Sequence, residues 1–299
     1  MKIGIVIPTH NGAKHLPHCL PNLILSPLKP RVLVIDSSSS DQTVAIAQDL
    51  GAETTVILQR EFNHGLTRER GRQHLQTDIV VMITQDAYPT SIHMLEELVA
   101  PIMKGVASIS YARQLPHVGA GFFETFPRDF NYPSTGHLRS LKDIDHYGIY
   151  TFFCSNSCAA YLNSALDEVG GFPETLFGED TVVTAKLLHR HHKIAYVAKA
   201  EVRHSHHYSL KQEFSRHFDI GLARHGYQEL IAIGGKDTKR GRAYLKTLIK
   251  KLAQHNPHWI PYALLQTTAK LLGYKVGRAC VNAPLWLKRL LSSQHYYWK

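Results

Sequence analysis

Long hydrophobic runs are missing from this sequence: no stretch approaches the roughly 18 to 20 apolar residues of a membrane-spanning helix. The apolar start at residues 3–8 meets His10 and Asn11 at once, which is too short for a secretory leader. Cysteine is scarce. Four residues (Cys19, Cys154, Cys158 and Cys280) cannot staple a chain of 299, and Cys154 and Cys158 have no Cys or His pair nearby at zinc-finger spacing. The expectation is a soluble cytoplasmic protein with reduced, packed thiols, with peripheral attachment to the inner face of the cell membrane left open. No Gly-x-Gly-x-x-Gly follows the first apolar run and no Walker sequence occurs, which disfavours a dinucleotide-binding domain and a P-loop ATPase. Repeats are absent, and low complexity is confined to the serines at 37–40. Acids are the minority: 34 Lys and Arg against 24 Asp and Glu give +10, with 20 histidines in addition. That balance favours anionic partners, whether phosphorylated metabolites, nucleic acid or a membrane surface, and says nothing about fold.

What is present is globular. Apolar residues make up 44% and charged ones 19%, and the length sits near the upper limit of a single core. One large domain, or one with an appendage, follows. Short β-branched runs at 2–8, 31–36, 54–58 and 78–84 suit strands covered on both faces. Helical segments at 41–50, 68–76 and 91–103 alternate with them, so the fold is α/β with a mostly parallel sheet and flanking helices. Residues 113–148, rich in Gly, Pro, Phe and Tyr, read as loops over a cleft. A strand at 151–155, a Gly-rich turn at 170–173, a helix at 179–192 and a strand at 193–198 follow. Beyond 208 the chain becomes helical and basic.

In an open parallel sheet, ligands sit at the carboxyl ends of the strands. That singles out Pro8-Thr9-His10-Asn11, Asp36-Ser37-Ser38 and Gln85-Asp86-Ala87. Each Asp alone reads equally as a helix N-cap. The combination says more: Glu179-Asp180 opens a later helix, and His204, His206 and His207 follow one crossover on. Carboxylate and imidazole together suit a divalent ion shared with a phosphorylated substrate.

The order of these segments resembles a family-2 glycosyltransferase of GT-A fold. The opening Ile5-Val6-Ile7-Pro8-Thr9-His10-Asn11, the segment from Val34 to Thr43, and Gly171-Phe172 with Gly178-Glu179-Asp180 carry the likeness. Phe62 to Arg68, Ile83 to Pro89, His204 to Leu210, Arg216 to Gly221 and the tail to Trp298 are similar to its bacterial rhamnosyltransferase branch. The resemblance implies a GT-A domain over 1–208, with a nucleotide-sugar half at about 1–112 and an acceptor half at about 113–208, and a basic helical region at 209–299. It implies inverting transfer of a sugar, with rhamnose from dTDP-rhamnose the expected donor and a UDP-sugar the alternative. The acceptor would be a glycan or lipid-diphosphate-linked glycan of a cell-surface polysaccharide such as O-antigen. It further implies that Pro8, Thr9, Asn11 and Asp36 border the nucleoside, with Arg68 and Gln85 also on the donor. Asp86 and His204 would hold Mg2+ or Mn2+, with His206 competing. Asp180 would be the general base, and Ser155, Asn156 and Glu179 would face the acceptor. Thr84 stands where the family's metal motif has its first Asp.

Bland readings stand beside these. Arg68 is equally an exposed helix arginine. Tyr88, Phe122, Phe123, Phe153 and Tyr161 are either an acceptor platform or ordinary core. The helix at 239–254, with an apolar stripe and a basic surround, either lies on anionic lipid or packs on its own domain. A nucleic-acid-binding protein is the rival from another class, but the chain carries no recognisable signature for one. No nucleic-acid partner is expected.

Overall fold

The computed structural model describes residues 1–235 and 238–298. Among the described residues nine strands form one sheet: β1 Ile3–Thr9, β2 Arg31–Asp36, β3 Glu53–Val56, β4 Ile79–Ile83, β5 Tyr88–Pro89, β6 Ile109–Leu115, β7 His137–Arg139, β8 Cys158–Leu162 and β9 Ile194–Arg203. Their order is β3-β2-β1-β4-β8-β6-β9-β5, with β7 also paired to β9. The helices are α1 Leu16–Cys19, α2 Pro21–Ile24, α3 Thr43–Asp49, α4 His64–Leu75, α5 Met94–Met103, α6 Phe122–Asn131 and α7 Ile144–Tyr147. After them come α8 Asn163–Glu168, α9 Glu179–His189, α10 Leu210–Tyr227, α11 Thr238–His255, α12 Ile260–Ala279 and α13 Leu285–Leu291.

The unalternating apolar runs have a simple cause. Ile5, Ile7, Val32, Val34, Ile79 and Val81 point into one core, while their chain neighbours Val6, Leu33, Ile35, Val80 and Met82 point into a second on the opposite face. Period-two geometry delivers alternate side chains to opposite faces, so a strand buried on both must be apolar throughout. The sheet is uninterruptedly parallel across β3-β2-β1-β4. Beyond β4 it is mixed: β8 runs antiparallel to both β4 and β6, whereas β9 runs parallel to β6.

Two local expectations are corrected and one open choice is decided. The stretch 151–155 is not a strand; a 3-10 turn at Gly148–Phe152 precedes the real strand at β8. The buried Arg139 accounts for this turn, because its guanidinium donates to the carbonyl oxygens of Tyr150 and Phe153 and so fixes the backbone there. Residues 113–148 are not only loops, since they contain the end of β6, α6 and β7. Phe122, Phe126 and Phe130 recur at helical spacing and form α6's inward face, a period masked by Pro127. The apolar stripe of α11 is not free for lipid: Leu248 and Leu252 are buried against those phenylalanines, with Tyr244 and Ile249 packed beside them.

α10 and α12 approach closely through glycines. A Cβ on Gly273 would lie 2.2 Å from the Phe214 carbonyl oxygen, so only glycine permits this backbone separation. The 20 residues of α12 would span about 30 Å at 1.5 Å each. Even so, among the described residues no helix is long and apolar enough to cross a membrane.

Candidate active site

The carboxyl ends of β1, β2 and β4 open on a cleft of about 280 Å3, bordered by Pro8, Thr9, Ser37, Phe62, Arg68 and Gln85, with Tyr296 from the chain's end. A second cleft of about 300 Å3 shares Arg68, Thr84 and Asp86 with it and reaches Asp180, Tyr208, Arg216 and Gln294. Asp86 therefore stands where the two meet.

The loops around the first cleft are braced by their own polar side chains. Asp36 is almost fully buried; it accepts from the Thr9 hydroxyl at 3.2 Å and from the Ser39 backbone N–H at 2.8 Å. Asn11, exposed and with φ of 48°, accepts from the Ser40 N–H at 2.9 Å. Neither residue is on the cleft wall. Gln85 is on the wall, yet its side-chain amide bridges His10, accepting from the N–H at 2.9 Å and donating to the carbonyl at 3.2 Å.

Asp86, His204 and His206 converge, with their ligand atoms all within 4.8 Å of one another. Each imidazole Nε2 is 3.5 Å from an Asp86 oxygen, and the two Nε2 atoms are 2.9 Å apart. The tautomer of His204 is set from behind. Gln114 donates to the Ser155 hydroxyl at 2.9 Å, so its carbonyl end faces His204 Nδ1 at 2.9 Å and accepts its N–H. The lone pair of His204 Nε2 is then turned toward Asp86 and His206, as in metal-ligating histidines held by an outer partner. Burial pushes the Asp86 carboxyl up, but in acid, where His204 and His206 are protonated, the hydrogen bond and charge of His204 and the charge of His206 outweigh it and hold Asp86 well below the usual carboxylate range. Burial lowers both histidines, His206 to about 3 with His204 adding to the effect. One carboxylate and two neutral imidazoles fit a borderline divalent ion such as Mn2+. Of the three histidines, His207 is turned away and exposed.

Glu179 and Asp180 start α9, and Asn156 braces both. Its side-chain amide donates to Glu179 at 3.0 Å and its backbone N–H to Asp180 at 3.2 Å. Burial pushes both acids up. In Glu179 it is outweighed by Arg68, whose guanidinium lies 3.2 Å away, and the net direction is down. Asp180, half-buried in the cleft wall, is raised to about 7 by desolvation and by the charge of Glu179, despite N–H donors from Asn156 and Thr181. A raised carboxyl in a cleft is what proton abstraction near neutral pH requires.

Several sequence expectations change place here. Arg68 is buried, not an exposed helix arginine, and its partner is Glu179. Ser155 and Asn156 line the Asp180 cleft together with Glu179, and each also braces its neighbours, Ser155 accepting from Gln114 and Asn156 donating to the two acids. Among the five aromatic candidates, Tyr161 is core, Phe153 packs on core, and Phe122 and Phe123 pack under α11; Tyr88 alone of them borders a cleft. Arg216 was not singled out by the sequence reading. Its guanidinium stacks on Phe177 and Tyr208, 4.7 and 5.6 Å from the ring centres, on the wall of the Asp180 cleft. Among the described residues it makes no salt bridge, which leaves it more available than Arg68 to a diphosphate. The signal available was its presence in the segment from Arg216 to Gly221, without any indication of direction.

Residues 4–170 match the profile of glycosyl transferase family 2. The O-antigen chain rhamnosyltransferase RfbN of Salmonella typhimurium is 38% identical over 302 residues, covering 100% of this chain and 96% of that protein. WbaN of Salmonella anatum, also an O-antigen chain rhamnosyltransferase, is 40% identical over 271 residues, covering 90% and 86%. In fold, the chain is similar to the mannosyltransferase PcManGT of Pyrobaculum calidifontis, solved with GDP-Man and Mn2+. The TM-score is 0.61 at 16% identity, over 99% of this chain and 84% of that one. S. aureus TarS 1-349, solved with UDP-GlcNAc, gives 0.55 at 16% identity over 94% and 92%. The chain belongs to glycosyl transferase family 2.

Proposed function

We propose that this enzyme transfers rhamnose, with inversion, from dTDP-rhamnose to a lipid-diphosphate-linked O-antigen glycan. The observation that carries the transferase chemistry is Asp180, raised toward neutrality, on the same cleft as Asp86, His204 and Arg216. Identity of 38% and 40% to two rhamnosyltransferases over most of their lengths supports the choice of sugar.

On this reading the nucleoside lies between Thr9, Ser37 and Phe62, and the diphosphate reaches Asp86. Asp86, His204 and His206 hold Mg2+ or Mn2+, which when bound neutralises the charge developing on the leaving diphosphate. Arg216 adds a guanidinium to the same oxygens. Asp180 takes the proton of the acceptor hydroxyl as that oxygen attacks C1 from the face opposite the diphosphate. Glu179 remains ionised against Arg68 and keeps Asp180 basic. A single displacement requires no covalent intermediate.

Thermal unfolding with nucleoside diphosphates tests this directly. With Mn2+ or Mg2+, dTDP at 100 times its dissociation constant is expected to add about 2.7 kcal/mol, readable as a rise of several degrees. A larger response to UDP would move the donor to the UDP-sugar series. Indifference to every nucleotide would remove the transferase reading.

The same reading places the enzyme on the anionic inner face of the cell membrane, through α12 and α13. Eight of the eighteen large apolar side chains exposed among the described residues fall between 259 and 290, including Leu264, Leu265, Leu271, Leu272, Trp286 and Leu290. Lys275, Arg278 and Arg289 are exposed around them, the composition of a lipid-facing surface. Deleting 239–299 would be an uninformative test, because Gln294 and Tyr296 line the clefts. Leu271→Glu with Leu272→Glu is expected to cut co-sedimentation with phosphatidylglycerol vesicles at least tenfold. Unchanged binding, or loss of a dimer instead, would refute a lipid partner for this face.

A further inference from the structure

A third cleft, of about 540 Å3, lies beside Asp86 and is not used by the chemistry above. It shares Asp86 and His206 with the Asp180 cleft, so the two are continuous across the candidate metal cluster. Four separate segments build it. Lys14, His15 and His18 come from the turn and short helix after β1, Tyr88 from β5, His117 from the loop after β6, and Arg203 from the end of β9.

Its chemistry is cationic and sugar-compatible. Three imidazoles surround the Tyr88 ring, with centres 6.1 Å (His15), 5.1 Å (His18) and 4.7 Å (His117) away. The Tyr88 hydroxyl is 2.7 Å from His15 Nδ1, which fixes the ring in place. Arg203 donates one N–H to the Pro116 carbonyl at 2.9 Å; among the described residues neither it nor Lys14 pairs with a carboxylate. The one acid on this wall, Asp86, is already engaged by His204 and His206. Two cations without carboxylate partners, beside an aromatic ring and hydrogen-bonding imidazoles, suit a phosphate attached to a sugar.

We propose that this cleft seats a phosphate or diphosphate carried by the acceptor glycan, while the acceptor hydroxyl lies at Asp180. The proposal rests on the transferase reading for the word acceptor, and on the cleft alone for the anion. It adds to that reading a reason for the enzyme to prefer charged acceptors over neutral ones.

The test uses the full chain, with inorganic pyrophosphate as probe in EDTA so that no metal carries it. Calorimetric titration is expected to detect binding to the wild type. The double variant Lys14→Gln/His18→Gln, changed at two exposed positions, is expected to weaken it at least tenfold. Arg216→Gln, in the neighbouring cleft, is expected to leave it in place. Equal binding by wild type and double variant, no binding at all, or loss only in Arg216→Gln would overturn the site. A kinetic arm identifies the source of the anion. The double variant should raise KM for a glycosyl-diphosphate acceptor at least tenfold more than for a neutral alkyl glycoside. An equal effect on both acceptors would make the cleft a free-phosphate site and overturn its link to the acceptor. Failure of nucleotides to bind the wild type would sink the transferase reading while leaving the pyrophosphate result standing.

Discussion

Asp180→Asn is expected to lower transfer by about 10²–10⁴-fold, the range that a positioned base contributes, while metal-dependent nucleotide binding stays near wild type. The same substitution should stabilise the protein at alkaline pH. Asp180 is raised in the folded chain, so folded protein holds its proton more tightly than unfolded protein does, and stability falls as pH rises from the ordinary carboxylate range through about 7. Asn carries no such penalty. The variant should therefore gain on the order of 2 kcal/mol above pH 8 and little below pH 4, as followed by thermal unfolding. Wild-type transfer should decline as pH drops through about 7, because only the carboxylate accepts a proton. Turnover comparable to wild type in the variant would remove Asp180 from the chemistry. A stability gain equal at both pH values would mean that its carboxyl is not raised.

Asp86→Ala is expected to weaken nucleotide binding in Mn2+ by more than about 100-fold, since loss of an outer partner alone costs roughly 10–100-fold in metal affinity. The smaller, outer effect is testable in the same protein. Gln114→Leu removes the acceptor that holds His204 Nδ1–H and should reduce Mn2+ affinity within that range, with nucleotide binding following. Chelation of the wild type should reproduce the Asp86→Ala result, and titration calorimetry reads all three. Nucleotide affinity unchanged by Asp86→Ala would move the metal away from this cluster. Gln114→Leu with unaltered metal affinity would show that His204 needs no fixed tautomer.

The sequence alone determined the strand-rich first half, because burial on both faces leaves an unbroken apolar run in the middle of β1, β2 and β4. It also determined which chain segments bear acids and histidines at strand ends, and through their order it determined the family. Tertiary structure decided what each side chain does. Arg68 and Glu179 are 111 positions apart in sequence (179 − 68), and only packing shows that they pair, leaving Asp180 as the raised acid. Gln114 and Ser155 orient His204 through hydrogen bonds whose directions no spacing records. The competition between His204 and His206 ends because the irregular segment after β9 brings both imidazoles to Asp86. The two readings of α11 were equivalent in sequence, since an amphipathic stripe does not specify what covers it; α6 covers it, and among the described residues of the tail the exposed leucines are those of α12 and α13. Local periodicity is a property of neighbouring residues, whereas the roles of Arg216, Gln114 and Tyr296 depend on contacts between segments far apart in the chain.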